Sequence, residues 1–297
     1  MTARPTVHLA TCAKLPSGDG DETGLPRALS ERDCAVRWIV WDDPSNPVAA
    51  ADLVVLRATW DYPERRAEFL AWCESVPRLC NAAGVVRWNT DKAYLLDLEA
   101  AGVPVVPTEV VPPGATPRWP DTEFVVKPSV GAGSRGARRF PSGGYDAASE
   151  HLNTVHSRGV AALVQPYQPS VDTDGETAVV FFGGAYSHAF GKGPMLTRAA
   201  ATTGADGSGL FLAEKLATAE PDGDVRLLAE DTLDATSGIL GVSRSELLYA
   251  RVDVVRDGCG RPVVLEVELS EPSLGLRQAG PEATARFASA IAARLGG

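Results

Sequence analysis

Residues 249–255 read YARVDVV, and residues 265–270 read LEVELS. Both alternate strictly. Side chains two apart on a strand share a face, so Arg251 and Asp253 lie on one side of the first segment, opposite Val252 and Val254. In the second segment Glu266 and Glu268 oppose Leu265, Val267 and Leu269. Asp257-Gly258 between them supplies turn chemistry, which predicts an antiparallel hairpin. With both apolar faces committed to one core, Asp253, Glu266 and Glu268 converge on the other side; a one-residue slip would expose three large aliphatic side chains. Carboxylates are poor strand formers and repel one another across a ladder. Three of them together call for a cation, and an all-oxygen set points to Mg²⁺, which takes one or two carboxylates plus substrate phosphates. The competing reading is a solvated acidic face.

Upstream, residues 123–130 (EFVVKPSV) predict a strand carrying Lys127, followed by Gly131-Ala-Gly133-Ser134-Arg135-Gly136. That string matches G-x-G-x-x-G, but the dinucleotide fingerprint requires a helix to open from it. Residues 137–144 (ARRFPSGG) are no helix, and the Gly-Lys-Ser/Thr ending of a Walker loop is missing. What remains is a flexible loop whose backbone N–H groups can wrap phosphates, with Lys127 and Arg135 as counter-charges. A plain glycine-rich hairpin turn is the alternative. Residues 89–101 (NTDKAYLLDLEAA) predict a helix with Asn89 or Thr90 as N-cap and Gly102 just past its end. Lys92 then lies in the first turn, where it opposes the helix dipole and a nearby anion would offset the cost. Otherwise it is a solvated lysine.

The first 85 residues alternate strand-like runs (6–12, 35–41, 52–59) with helical stretches, best seen at 63–76, where Phe69, Leu70 and Trp72 share a face. This predicts a small α/β domain with a largely parallel sheet. Ligands bind beyond the carboxyl ends of such strands, which singles out Thr11 and Cys12, then Arg57, Trp60, Asp61 and Tyr62. Ordinary loop residues are the alternative for each. Residues 102–120 read as an extended connector, and 163–169 as a short strand and hinge. Strands at 176–182 and 185–192 flank a Gly183-Gly184 turn. Residues 202–209 have the composition of a mobile loop, and 222–240 and 281–295 form amphipathic helices.

The 297 residues are 44% hydrophobic and 22% charged, which excludes disordered and disulfide-scaffold classes. A net charge of −10 argues against nucleic acid as the main partner. Five scattered cysteines predict reduced thiols in a cytoplasmic protein. Residues 1–15 hold too short an apolar run for a signal peptide or a membrane span. No Ser-His-Asp or Cys-His set is visible: His8, His151, His156 and His188 sit in unrelated contexts.

Taken in order, Lys92, Phe124-Val-Val-Lys127-Pro128, the loop to Gly136, Leu163-Val-Gln165-Pro166-Tyr167, Gly175-Glu176, Asp253 and Glu266-x-Glu268 resemble the ATP-grasp ligases, with the glutathione-synthetase-like branch most similar. The likeness runs from about Asn89 to the C-terminus. It implies an α/β (α+β) fold: an N-terminal substrate-binding domain (1–88), a central subdomain with the glycine-rich loop (89–162), and a C-terminal subdomain with the metal site (163–297), the last two built on antiparallel sheets. It implies ATP and Mg²⁺ as cofactors. Lys92 and Lys127 would hold phosphates, and Gly131, Gly133, Ser134 and Gly136 would close over them. Gln165, Pro166, Tyr167 and Gln168 would meet adenine, and Glu176 the ribose. Lys192 would meet the γ-phosphate, with Arg135 and Arg251 as further catalytic candidates. Asp253, Glu266 and Glu268 would hold the metal, although the family more often has Asn at the last position.

The implied reaction activates a carboxylate as an acylphosphate for attack by a nitrogen nucleophile. A small amino-acid-like substrate would meet Thr11, Arg57, Trp60, Asp61, Tyr62 and Ser273, and members of the family are often homodimers. The wider pattern, Thr11-Cys12-Ala13, residues 56–63 (LRATWDYP) and residues 266–274 (EVELSEPSL), is similar to the O-ureido-serine cyclo-ligase type of D-cycloserine biosynthesis. That likeness implies an intramolecular ligation, with a two-substrate carboxylate–amine ligase as an equal alternative. An NAD-dependent oxidoreductase and a nucleotide-binding module without turnover are the remote ones.

Overall fold

The computed structural model describes residues 4–46, 48–196, 208–211 and 215–296. Most of the loop expected over 202–209 lies outside them. Three sheets carry the molecule. The first, ordered β2-β1-β3-β4, is parallel and comprises β1 (Thr6–Thr11), β2 (Ala35–Val40), β3 (Leu53–Ala58) and β4 (Leu79–Cys80). Every residue of β3 is buried, as expected of a parallel strand covered on both faces. The helix expected over 63–76 runs Arg66–Ser75, and Pro63 lies in a separate 3₁₀ turn, Tyr62–Glu64. It buries Phe69, Leu70 and Cys73, while Trp72 packs at the edge of that cluster.

The second sheet is antiparallel, ordered β5-β8-β6-β7: β5 (Glu109–Val111), β6 (Phe124–Pro128), β7 (Arg138–Phe140) and β8 (Ala162–Pro166). Helix Tyr145–His156 covers it through Ala148, Leu152 and Val155. The third sheet is also antiparallel, ordered β11-β10-β9-β12-β13: β9 (Glu176–Phe182), β10 (Ala185–Lys192), β11 (Leu216–Ala219), β12 (Tyr249–Arg256) and β13 (Pro262–Glu268). A parallel sheet followed by two antiparallel ones is the α/β architecture the sequence implied.

Helices Tyr94–Ala100 and Gly223–Leu240 bury one face of the third sheet on Val179, Phe181, Val252 and Val267. On the other face Val180, Phe182 and Phe190 join a core with Val7, Leu9 and Val55 of the first sheet and with Phe287 and Ile291 of the last helix, Pro281–Ala293. The C-terminal helix therefore fills the seam between the first and third sheets. That seam is further tied by Asn81, whose side chain donates to the carbonyls of Tyr249 (2.9 Å) and Leu269 (2.7 Å) and accepts from the Leu248 N–H (2.7 Å).

Two sequence expectations shift. The single helix over 89–101 is two helices, Ala83–Asn89 and Tyr94–Ala100. Asn89 ends the first instead of capping the second, because its amide is spent on the β13 edge: it donates to the Val267 carbonyl and accepts from the Leu269 N–H, each at 2.7 Å. Lys92 falls in the turn between them, not in a first helical turn. In the hairpin a bulge separates Asp253 from Val254, so Val254 pairs with Val264 and not with Leu265. The extra residue lets Val264 enter the core, while Leu265 turns to the other side.

Candidate active site

The β9–β10–β12–β13 residues Glu176, Lys192, Arg251, Glu266 and Glu268, the glycine-rich loop and the carboxyl ends of the first sheet enclose one cavity of about 440 Å³. Strand register brings charged side chains together there. Glu176 pairs across the ladder with Lys192, and Arg251 with Glu268; Asp253 pairs with Glu266. The Lys192 ammonium lies 2.9 Å from both Glu176 and Asp253, and Arg251 lies 2.7 Å from both Asp253 and Glu268. Lys127 reaches across from β6 to Glu266 at 2.6 Å. Lys92 donates to the Gly131 carbonyl at 2.8 Å, so it stands at the glycine-rich loop.

Three acidic side chains do converge from the hairpin, but each meets a basic partner. Among the described residues no three acidic, histidine or cysteine side chains are grouped so as to hold a metal ion. Of the three expected carboxylates, Asp253 has both oxygens taken by Arg251, beneath the cavity wall. Glu266 and Glu268 do line the cavity. Two hard carboxylates are what Mg²⁺ commonly takes beside phosphates, so the donor chemistry fits in kind with two ligands instead of three. Burial raises the Glu266 carboxyl, yet Lys127 and Lys92 outweigh it and hold the group well below the usual carboxylate range. For Asp253 likewise, Arg251 and Lys192 overcome burial. For Glu176 and Glu268 burial prevails and the carboxyls are pushed up.

Beside these charges lies an apolar slot of Val106, Val125, Tyr167, Val171 and Leu265, flanked by Gln165, Pro166 and Gln168 at the end of β8. In the glycine-rich loop Gly131, Gly133, Ser134 and Arg135 line the cavity. Gly133 has φ +60°, and a Cβ there would stand 2.6 Å from the Leu210 carbonyl oxygen, so only glycine fits. Gly136 does not line the cavity; its carbonyl meets His151 Nε2 at 2.8 Å. Arg135 donates to the Trp60 carbonyl at 2.7 Å and fastens the loop to the segment that follows β3.

Of the strand-end residues, Trp60 and Tyr62 line the cavity, as does the other expected substrate residue, Ser273, while Thr11, Cys12, Arg57 and Asp61 do not. Arg57 is fully buried, donating to Glu22 at 2.5 and 2.7 Å and to the Pro272 carbonyl at 2.6 Å. The Thr11 hydroxyl is spent on the Leu15 and Ala58 carbonyls. Asp61 accepts from Trp41 Nε1 at 2.8 Å and from Arg65. Thr11 and Asp61 bond within the first sheet and its loops, and Arg57 ties β3 to the loop after β13. His188 is structural as well, its ring bonded to the Leu274 carbonyl and to Ser187. Sequence reasoning left out Asp19, Asp21 and Glu271, which also line the cavity. The strand-end rule applied to the loop after β1 would have pointed to the two aspartates; Glu271 lies beyond the alternating run and carries no periodic signal.

Residues 7–81 match the family model described as D-cycloserine synthetase DcsG, N-terminal domain. Over 268 residues the chain is 40% identical to the cycloserine biosynthesis protein DcsG of Streptomyces lavendulae, covering 86% of this chain and 87% of that one. The chain belongs to the DcsG family. The crystal structure of D-cycloserine synthetase DcsG superposes with a TM-score of 0.87 at 37% identity, over 98% of this chain and 99% of that one. The D-alanine–D-alanine ligase of Bacillus anthracis complexed with ATP superposes at 0.65 with 15% identity, over 98% of this chain and 97% of that one, which shows the shared ATP-grasp fold. As a member of the DcsG family, the protein is an ATP-dependent ligase that forms carbon–nitrogen bonds. No helix among the described residues is long and apolar enough to cross a membrane.

Proposed function

We propose that the protein uses ATP to activate the carboxylate of an amino-acid-like substrate and closes it onto a nitrogen of the same molecule, as in the conversion of O-ureido-D-serine to D-cycloserine. The observation that carries this reading is the likeness to DcsG, which extends into residues 7–81, the segment that gives the cavity Trp60 and Tyr62. Residues 1–88 would thus form the substrate domain, against ATP-grasp subdomains 89–162 and 163–297.

In this reading Lys92 and Lys127 neutralise phosphate oxygens, and the N–H groups of the glycine-rich loop wrap them. The slot of Val106, Val125 and Leu265 takes the adenine beside the backbone of residues 165–168, and Glu176 takes the ribose hydroxyls. Glu266 and Glu268 would hold Mg²⁺, with Asp253 positioning Arg251 and Lys192 beneath them. Bound there, Mg²⁺ supplies positive charge against the transferring phosphoryl oxygens. Lys192 and Arg251 exchange carboxylate partners for phosphate, and Arg135 keeps the loop closed on the first domain. The substrate carboxylate takes the phosphoryl group, the nitrogen attached to its side-chain oxygen attacks the carbonyl and expels phosphate, and hydrolysis of the carbamoyl C–N bond at that nitrogen releases carbamate, which breaks down to carbon dioxide and ammonia. Attack within one molecule gains the effective molarity of a five-membered closure and needs no second amine pocket.

Incubation with O-ureido-D-serine, ATP and Mg²⁺, followed by mass spectrometry, tests the reading. Cycloserine and stoichiometric ADP are expected. A condensed product formed only from an amino acid mixed with a separate amine would establish two-substrate ligation in its place. A change in absorbance at 340 nm with a nicotinamide cofactor would overturn both.

A further inference from the structure

Three acidic side chains from loops line the cavity: Asp19, Asp21 and Glu271. Two have partners that account for them. Asp21 accepts the backbone N–H groups of Leu274 at 2.9 Å and Arg277 at 3.1 Å, and Asp19 accepts that of Asp21 at 3.0 Å. Glu271 is different. It is 8% exposed, and its Oε2 is buried with no hydrogen-bond partner among the described residues. Its backbone is held in place, because Trp60 Nε1 donates to the Glu271 carbonyl at 2.8 Å. The Tyr62 hydroxyl stands at its carboxyl as a hydrogen-bonding neighbour. A rigidly mounted acceptor left unpaired in a buried cavity is costly unless a ligand completes it.

We propose that Glu271 recognises the protonated amine of an amino-acid substrate, with Oε2 accepting a hydrogen bond from the ammonium group. This rests on the ligase reading above and names the substrate class the site selects: an α-amino acid whose carboxylate faces the phosphates. The surroundings favour a cation over a neutral donor. The charged and titratable groups around Glu271 are Glu268, Lys92, Tyr62, Arg57, Cys73 and Tyr249. Of the two cations, Arg57 is bound to Glu22 and Lys92 to the Gly131 carbonyl. Burial and the neighbouring Glu268 charge push the Glu271 carboxyl up to about 8, a penalty that an ammonium group would relieve. Charge-assisted hydrogen bonds are also the stronger kind.

The test compares O-ureido-D-serine with 3-(ureidooxy)propanoate, the same acid without its amine, in the wild type, E271Q and E271D. Wild-type kcat/KM should favour the amine-bearing acid at least tenfold. E271Q should erase most of that preference through the KM for the acid, with the KM for ATP unchanged, and E271D, which keeps the charge, should restore part of it. Equal losses on both acids, or an undiminished preference in E271Q, would overturn the assignment. If the wild type releases no ADP with either compound, the cyclisation reading fails, and Glu271 is then judged by binding alone. Calorimetric titration of D-serine and 3-hydroxypropanoate into protein loaded with a non-hydrolysable ATP analogue should show the same amine preference, lost in E271Q. Absence of that preference in the wild type overturns the proposal.

Discussion

Arg251 and Asp253, two residues apart on β12, point to the same face of the sheet, and the guanidinium of the first grips the carboxylate of the second in a two-pronged pair, Nε to Oδ1 and Nη2 to Oδ2, both at 2.7 Å. Arg251 also donates to Glu268 and to the Ser273 carbonyl. One side chain thus joins the centre of the sheet to the cavity edge and to the loop that follows β13. Its loss should strand Asp253 and Glu268 together, and Lys cannot reproduce the fork. Arg251→Lys is expected to lower kcat at least tenfold while leaving the protein folded; steady-state kinetics together with a circular-dichroism melt measure both.

Glu266 faces the cavity, with Lys127 as its close ionic partner among the described residues. Replacing Glu266 with Gln should reduce turnover by about 10²-fold or more, the scale of losing one preorganised electrostatic contact, and should weaken the response to Mg²⁺. Retained activity with an unchanged Mg²⁺ titration would refute the assignment. Glu268→Asn should be milder, since an amide oxygen still suits a hard cation.

Lys127→Ala and Lys92→Ala should each raise the KM for ATP and lower kcat, because their charge acts in both ground and transition states. Calorimetric titration of a non-hydrolysable ATP analogue checks the binding part. Unchanged affinity in both variants would mean that these lysines serve only Glu266 and the Gly131 carbonyl.

Arg57→Ala should destabilise the fold instead of impairing substrate affinity. Glu22 and Arg57 are a fully buried pair, and removing one partner strands the other at a cost of about 3–5 kcal/mol. Urea denaturation gives the stability loss. A higher KM with unchanged stability would return Arg57 to the substrate site.

The Glu271 carboxyl, raised to about 8 from 4.5, makes the folded protein keep a proton that the unfolded chain gives up between those two values. Stability attributable to this group is therefore full below pH 4.5 and falls as pH rises toward 8, by about 1.4 kcal/mol per unit. Glu271→Gln should remove that slope, so the variant gains on the wild type with rising pH. Denaturation curves at pH 5, 6.5 and 8 without nucleotide decide it; parallel pH profiles would show that Glu271 stays charged in the fold.

Much of the architecture was legible because it rests on local periodicity. The alternation of residues 249–255 and 265–270 was enough to place Arg251, Asp253, Glu266 and Glu268 on one face of a hairpin, since a slip would have exposed Val267 and Leu269. The β9–β10 hairpin around Gly183-Gly184 and the parallel N-terminal sheet follow from equally local signals. The bulge at Asp253 was not legible, and with it went the placement of Leu265, because an inserted residue obeys the packing on both sides of the strand and leaves no mark in the alternation.

What the sequence by itself determined is which residues share a face and in what order the glycine-rich, hinge and acidic segments follow one another, because both are properties of neighbours along the chain. Only the tertiary structure decided partners. Arg57 and Glu22 are 35 residues apart, Lys127 and Glu266 are 139 apart, and Trp60 and Glu271 are 211 apart. Whether a charge at a strand end faces a cavity or is neutralised in a core depends on which distant side chain packing brings to it. That is why Arg57, Thr11 and Asp61 are held by bonds away from the cavity, while Glu271 has an oxygen at the cavity with no partner among the described residues.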